Sequence, residues 1–194
     1  MIKTVKLKDG TDVELRNLKK KDRKRLTAFF RSLPDEDRRY LRVDITNKET
    51  IKQIIKSSKS EKNLRIIAII NDQIVADGLL ELEKRKWKKH SGEIRLLISK
   101  QYRRKGLGML LARELYLLAI SEKVENIIVK MMKPQVAAIN IFKRMGFKQE
   151  TVLPDYVKDL EGTKRDLIIM RCDVNEMWKE LEEYLETSDW QRVR

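Results

Sequence analysis

The residue types at positions 103–108, Arg-Arg-Lys-Gly-Leu-Gly, are suited to binding an anion. They follow an apolar run at 94–99 that is typical of a strand, and they precede a helical pattern. That pattern places on one helix face the side chains of Leu107, Leu110, Leu111, Leu115 and Leu118. Glycines allow backbone N–H groups to approach an anion, and the first turn of a helix leaves N–H donors unpaired. The sequence therefore predicts a strand, a basic glycine turn and a helix start that together bind phosphate.

Other reactive residue types are scarce. The chain has one cysteine, Cys172, and one histidine, His90. A cysteine nucleophile needs a neighbouring base, and a zinc site needs more ligands than this pair supplies. We therefore predict that Cys172 packs in the core, that His90 is solvated in a basic loop, and that the chain holds no metal.

The hydrophobic pattern around the glycine turn predicts the element order ββ–αα–β–β–β–α–β–α–β–β–α. A helix is predicted from about Lys20 to Pro34, another is capped by Asn47, and a third spans 135–145 and ends at Gly146. The apolar run at 126–131 is predicted to be a strand buried on both faces. Hairpin turns are predicted at Asp9-Gly10, Asn71-Asp72 and Glu161-Gly162. With a single β–α–β unit, the expected fold is a mixed α/β (α+β) sheet rather than a dinucleotide-binding one.

Composition narrows the class of protein. The chain has 194 residues, 41% of them hydrophobic, which suffices for a core. No segment is typical of a secretion signal or a membrane span, so we expect a cytoplasmic protein. The formal charge of +14 attracts polyanions, but the lysines are spread along the sequence, so no specific nucleic-acid site is predicted.

Two motifs at the expected distance carry a family resemblance. They are Arg103-x-x-Gly106-x-Gly108 and Gln135-x-x-Ala138-x-x-x-Phe142-x-x-x-Gly146-Phe147. Together with the element order they resemble the GNAT superfamily of acetyl-CoA-dependent N-acetyltransferases, over roughly residues 11–172. The opening of the chain, through residue 42, resembles more weakly the bacterial and archaeal protein-acetyltransferase branch. The resemblance implies a mixed, mostly antiparallel central sheet with helices on both faces.

We predict that residues 1–172 form this domain and that 173–194 form a C-terminal amphipathic helix and tail. The apolar face of that helix comprises Met177, Trp178, Leu181, Tyr184 and Leu185. It is expected to cover the chain's own sheet, and a homodimer contact is the alternative.

The resemblance implies how acetyl-CoA is held. Backbone N–H groups of residues 104–109 would bind its pyrophosphate at the helix start. A bulge would bend the strand before the turn, and backbone groups near its end would pair with the pantetheine arm. The implied contacts come from Leu97, Ile98, Ser99, Arg103, Arg104, Lys105, Gly106, Leu107, Gly108, Met109, Gln135, Ala138 and Phe142.

Acetyl transfer to an amine requires a base, because the acceptor must lose a proton. The resemblance points to Glu93, ten residues before Arg103, as that base. The alternative is a surface carboxylate paired with Arg95 or a loop lysine.

The position of Phe142 carries a tyrosine in many relatives, where it protonates the departing thiolate. Phenylalanine cannot, so water or another group does so, or the thiolate leaves unprotonated. Tyr156 is a candidate for the acceptor site and equally a half-buried packing residue.

The function predicted is acetyl transfer from acetyl-CoA to a primary amine by direct attack in a ternary complex. The acceptor is predicted to be a protein lysine or N-terminal amine, and the basic loop at 84–89 would favour acidic targets. Two alternatives stay open: a small-molecule amine as acceptor, and a catalytically weak CoA-binding regulatory module.

Overall fold

The computed structural model describes residues 2–58, 60–83, 87 and 90–176. Its strands are β1 (Ile2–Lys6), β2 (Asp12–Asn17), β3 (Asn63–Ile70), β4 (Gln73–Leu82), β5 (Ser91–Ile98), β6 (Asn126–Met132), β7 (Lys148–Lys158) and β8 (Lys164–Asp173). Its α-helices are α1 (Arg23–Ser32), α2 (Asp35–Arg38), α3 (Lys48–Ser57), α4 (Leu107–Ser121) and α5 (Val136–Arg144). Two predicted segments lie largely outside the described residues: positions 177–194 of the C-terminal helix and tail predicted at 173–194, and all of the basic loop at 84–89 except Trp87.

The eight strands form one sheet in the order β1-β2-β3-β4-β5-β6-β8-β7. Every neighbouring pair is antiparallel except β5 and β6, which are joined through α4. The predicted mixed, mostly antiparallel α/β architecture is therefore confirmed. None of the described helices is long and apolar enough to span a bilayer.

Local backbone chemistry produces the predicted hairpins. Asn71 and Asp72, between β3 and β4, have positive φ angles of 48° and 63°. Asparagine and aspartate tolerate this left-handed region, which a two-residue hairpin turn requires. Gly10, between β1 and β2, also has a positive φ, of 82°.

The helix boundaries follow their capping signals. Asn47 caps α3, because its Oδ1 atom accepts a hydrogen bond of 2.8 Å from the Glu49 N–H. The first helix ends at Ser32, just before Pro34, since a residue that precedes proline disfavours the helical conformation. Gly146 follows α5 with a φ of 81°, the left-handed conformation common after helices.

A hydrophobic core lies on each face of the sheet. Helices α4 and α5 bury one face, and α1 and α3 bury the other over β3 and β4. Side chains alternate along β5, so Ile94, Leu96 and Ile98 face α4, whereas Leu97 faces α1. Glu93 lies four residues before Leu97 in the same strand, so its side chain is on the same face of the sheet, the α1 face.

Strand β6 differs from its prediction. Ile127, Val129 and Met131 are buried beneath α4 and α5, but Lys130 on the opposite face is exposed. The prediction that this strand is buried on both faces is thus wrong. An apolar run of this length does not reveal which face a helix covers.

Candidate active site

A cleft opens in the sheet between β5 and β6. The two strands pair in parallel only where Ser91, Gly92 and Glu93 lie beside residues 126–128. Beyond Glu93, β5 stays paired with β4 as far as Ile98, and β6 stays paired with β8. The facing backbone edges at 94–98 and 129–132 are therefore unpaired with each other, and Glu93 lies at the closed end of the cleft.

The predicted bulge in β5 is not found. Its pairing with β4 runs from Gly92 to Ile98 without a register shift. The strands separate because each continues beside a different neighbour, and not because an extra residue bends one of them. The cleft was predicted correctly, but its predicted cause is wrong.

The register of β5 decides which backbone groups line the cleft. The Ser99 N–H donates to the Val75 carbonyl at 2.9 Å, so Ser99 faces β4. Backbone groups of an antiparallel strand alternate in direction, so Leu97 also faces β4, whereas Leu96 and Ile98 face the cleft. This corrects the prediction for Leu97 and Ser99 and adds Leu96, which the sequence analysis missed.

The basic turn after β5 leads into the N-terminus of α4. Arg104 and Gly106 both have left-handed backbone conformations, with φ angles of 62° and 89°. No described side chain caps α4, and its first turn contains no acidic residue. The N–H groups of Leu107, Gly108 and Met109 thus begin a helix whose first turn has neither a side-chain cap nor an acidic residue of its own. This end of α4 is suited to an external anion.

Two of the three predicted cations of the turn are held by other residues. The Arg103 guanidinium donates to the Ile98 carbonyl at 3.1 and 3.2 Å and to Asp37 at 2.6 Å. Lys105 lies 3.0 Å from Asp9. Hydrogen bonds from Thr11 and then Lys105 lower the pKa of Asp9 to about 2, so this partner is ionised at neutral pH.

A further cation, which no sequence motif indicated, lies over the turn. The backbone N–H of Lys8, in the β1–β2 hairpin, donates to the Lys105 carbonyl at 3.3 Å. A Cβ atom on Gly106 would lie 3.4–3.7 Å from three side-chain carbons of Lys8. Lys8 therefore extends across the open side of Gly106. Neither Lys8 nor the exposed Arg104 forms an ion pair among the residues that the structure describes, so both remain available to an anion.

The second glycine of the turn has a packing role. A Cβ atom on Gly108 would approach Ile141 in α5 to 2.7 Å and Ile98 in β5 to 2.8 Å. Only a residue without a side chain lets α4 approach both elements this closely. Gly108 therefore holds the N-terminus of α4 near the open end of the cleft.

The second motif lies along α5 on the α4 side of the sheet. Gln135 accepts a hydrogen bond of 2.8 Å from the Met132 N–H at the end of β6, which leaves its NH₂ group as a donor. Ala138 packs against the core. Phe142 is 2% exposed and meets Phe147 edge-on with ring centroids 5.1 Å apart. Phe142 is therefore a core residue with no polar group to offer.

Glu93 is surrounded by positive charge. Its carboxylate pairs with Arg42, with Arg95 at 3.2 Å and with Lys130 at 3.2 Å. Burial of the carboxyl raises its pKa, but these three cations outweigh burial and lower the pKa below its ordinary value of 4.5. Glu93 is therefore ionised at neutral pH. Of its partners, the sequence analysis anticipated Arg95 and missed Arg42 and Lys130, which are distant in sequence.

Tyr156 is not brought next to Glu93. It lies in β7, which is separated from β5 by β6 and β8, a lateral distance of about 14 Å at about 4.8 Å per strand. The side chain is 67% exposed, so the alternative of half-buried packing is wrong, and the place of Tyr156 in the acceptor site stays a prediction. Cys172 is 3% exposed in the core, as predicted.

These features together favour group transfer along an extended arm. An uncapped helix start lies near the open end of the cleft, and an ionised carboxylate lies at the closed end. Ile98 lies five positions after Glu93 in the strand, a span of about 17 Å at about 3.4 Å per residue. A substrate with a terminal phosphate group and a linear polar arm fits this arrangement.

Comparisons with known proteins agree with the geometry. A family model described as an acetyltransferase (GNAT) domain matches residues 12–148. This range includes β2 to α5 and contains the cleft, the turn and the second motif.

Solved structures share the fold at low sequence identity. An acetyltransferase of the GNAT family from Streptococcus pneumoniae is 22% identical with a TM-score of 0.71, over 84% of this chain and 99% of that one. A ribosomal-protein-alanine N-acetyltransferase from Brucella melitensis is 20% identical with a TM-score of 0.69, over 82% of this chain and 99% of that one. The yncA structure from Salmonella typhimurium, which contains its cofactor acetyl-CoA, is 15% identical with a TM-score of 0.72, over 84% of this chain and 95% of that one.

Proposed function

Because the chain belongs to the GNAT acetyltransferase family, we propose that it transfers acetyl from acetyl-CoA to a primary amine in a ternary complex. The observation that carries this proposal is the cleft between β5 and β6, with the uncapped start of α4 at one end and Glu93 at the other. The pyrophosphate binds the N–H groups of Leu107 to Met109. The pantetheine arm then lies along the β5 edge, where it pairs with Leu96 and Ile98.

The chain's own groups support direct transfer. The amine nitrogen attacks the thioester carbonyl carbon and the C–S bond breaks. The proton that the nitrogen loses as the amide forms passes through water to the departing thiolate, because Phe142 has none to give. The Leu96 N–H, which faces the cleft, donates to the carbonyl oxygen as negative charge develops there. The ammonium proton passes to Glu93, directly or through one water. Arg42, the most exposed of the partners of Glu93, is the one that an incoming ammonium group displaces.

The acceptor that we propose is a protein amine, either a lysine side chain or an N-terminus. The cleft lies on an uncovered region of the described sheet around the exposed Lys130, where a polypeptide can approach. A structure similar to this chain is that of a ribosomal-protein-alanine N-acetyltransferase, which supports a protein acceptor. A small-molecule amine is the second candidate.

Ligand-dependent thermal unfolding tests donor binding first. Acetyl-CoA should raise the melting temperature, whereas equal concentrations of ATP and NAD should not, because only acetyl-CoA fills both the turn and the cleft. Release of free CoA should then be measured with amine-bearing peptides, small amines and a protein mixture. A melting shift without CoA release from any of them would replace the proposed enzyme by a binding module, and no shift would reject the acetyl-CoA site itself.

Substitution of Lys8 by alanine should raise KM for acetyl-CoA about 3- to 10-fold without changing kcat, because an exposed charge-assisted phosphate contact contributes about 0.7–1.4 kcal/mol to binding. Steady-state kinetics at saturating acceptor measure both constants. Lys6→Ala is the matched control, since Lys6 lies in β1 and pairs with Asp12 at 3.1 Å. An equal effect in the two variants would show that Lys8 has no particular part in donor binding.

A further inference from the structure

Unpaired positive charge is concentrated on the outer surface of α1 and α3. Residues 19–31 and 48–57 contain ten cations and two carboxylates, a net charge of +8 out of +14 for the whole chain. The ten are Lys19, Lys20, Lys21, Arg23, Lys24, Arg25, Arg31, Lys48, Lys52 and Lys56. The fold therefore gathers cations that looked evenly spread in the sequence.

Most of these cations lack a carboxylate partner. Only Arg25, with Asp22 and Asp72, and Lys52, with Glu49, form ion pairs among the described residues. Elsewhere, most of the described arginines are paired, including those around Glu93. Unneutralised charge at this density favours a partner that brings its own negative charge.

A groove runs between α1 and α3 within this surface. Its volume is about 160 Å³, and it is lined by Arg23, Thr27 and Arg31 of α1 and by Lys48 and Ile51 of α3. Arg23 and Arg31, eight residues apart, place guanidinium groups along about 12 Å of the α1 side of the groove. Lys48 adds an ammonium group on the α3 side.

The chemistry of the groove favours nucleic acid over protein. Protein interfaces depend on buried aromatic or aliphatic anchors, and the one apolar lining residue, Ile51, is 2% exposed and already packed in the core. Guanidinium groups bind phosphate in a bidentate manner and need no such anchor. The lining also has no aromatic ring on which a base can stack, so it offers contacts to phosphate alone.

We propose that the groove between α1 and α3 binds the phosphodiester backbone of a nucleic-acid duplex without regard to base sequence. The site lies over β3 and β4 on the face of the sheet opposite to α4, and we expect it to act independently of acetyl-CoA. It would hold the enzyme near acceptors that are themselves bound to nucleic acid.

Fluorescence anisotropy of a labelled DNA duplex of about 24 base pairs tests this site, because affinity that depends on phosphate contacts falls steeply with salt. The triple variant Arg23→Gln, Arg31→Gln, Lys48→Gln should bind at least about 10-fold more weakly at about 100 mM salt. The slope of log Kd against log salt should decrease by about 2–3, at about 0.9 for each phosphate that the variant no longer neutralises. All three side chains are exposed, so the melting temperature should stay unchanged.

A matched triple variant separates the groove from the overall charge. Lys143→Gln, Arg144→Gln and Lys164→Gln remove the same charge from exposed positions on α5 and β8, and they should change Kd less than about twofold. An equal loss of affinity in both variants would overturn the proposal in favour of the general field of the protein. Displacement of the duplex by polyglutamate at equal charge would identify an acidic protein as the occupant instead. Displacement by acetyl-CoA would show that the duplex occupies the donor site.

Discussion

Replacing Glu93 with glutamine should lower kcat for acetyl transfer by about 100-fold or more at neutral pH, the usual size of a general-base contribution. The amide keeps the size of the side chain but cannot take the proton that the acceptor ammonium must lose. Glu93 lies at the closed end of the cleft, away from the helix start where we propose that the pyrophosphate binds. The KM for acetyl-CoA should therefore stay within about twofold of wild type.

The pH dependence gives a second measurement on the same residue. The three cations hold the pKa of Glu93 below 4.5, so the carboxylate stays ionised as pH falls from 8 to about 5. Because Glu93 takes its proton from the ammonium form of the acceptor, the kcat of the wild type should stay nearly constant over that range for a lysine acceptor, which is protonated throughout. The Glu93→Gln variant should regain activity at high pH, where the amine is neutral without help. An acidic limb with an apparent pKa near 6–7 that vanished in the variant would contradict the lowered pKa.

Glu81→Gln is the matched control for Glu93. Glu81 lies opposite Glu93 on β4 and pairs with the same Arg95, at 2.6 Å. The substitution therefore removes one carboxylate from the same cluster but leaves the closed end of the cleft unchanged. Its kcat should stay within about threefold of wild type. If both variants lose activity equally, the cluster has only a structural role and Glu93 is not the base.

Much of the fold could be predicted because short-range chemistry decides it. Asn71, Asp72 and Gly10 form turns because they tolerate positive φ, whatever surrounds them. The cap at Asn47 and the helix stop at Pro34 depend equally on neighbours in sequence. The order of strands and helices could be predicted from these signals together with the spacing of apolar residues along the chain.

The site could be predicted only as far as the backbone of the glycine turn. Which cations face the anion depends on contacts between distant segments: Asp37 holds Arg103, Asp9 holds Lys105, and the β1 hairpin brings Lys8 over Gly106. Arg103 and Lys105 therefore both carry a positive charge in the same short segment, but each pairs with a different carboxylate.

Which backbone N–H and C=O groups of β5 face the cleft could not be predicted from the sequence, for another reason. Whether Leu97 or Leu96 faces the cleft is set by the β4–β5 register, and a slip of one residue would exchange them. No residue type in the strand carries that information. Pairing with β4, through contacts such as Ser99 with Val75, supplies it.

Asp22→Ala should have the largest effect on stability, lowering the free energy of unfolding by about 3–5 kcal/mol, as expected when one partner of a buried ion pair is removed. Asp22 is fully buried and accepts hydrogen bonds of 2.7 and 2.8 Å from Arg16, which is itself 5% exposed. It also accepts a hydrogen bond of 2.8 Å from the Lys19 N–H, so it links the turn that begins α1 to β2. The substitution leaves a buried guanidinium with only the nearby Glu14 to neutralise it. Urea unfolding followed by circular dichroism measures the change.

The pH dependence of the stability difference between wild type and Asp22→Ala tests whether the ion pair causes that difference. Hydrogen bonds from Arg16 outweigh burial and lower the pKa of Asp22 below its ordinary 3.8. A lowered carboxyl pKa stabilises the fold above the unfolded value and loses that contribution as pH falls through the folded value. The gap between wild type and Asp22→Ala should thus be constant above about pH 5 and narrow below pH 3.8. Asp12→Ala, which breaks the exposed pair with Lys6, should cost less than about 0.5 kcal/mol at any pH. A gap that persists unchanged into acid would assign the destabilisation to packing around the start of α1 rather than to the charge on Asp22.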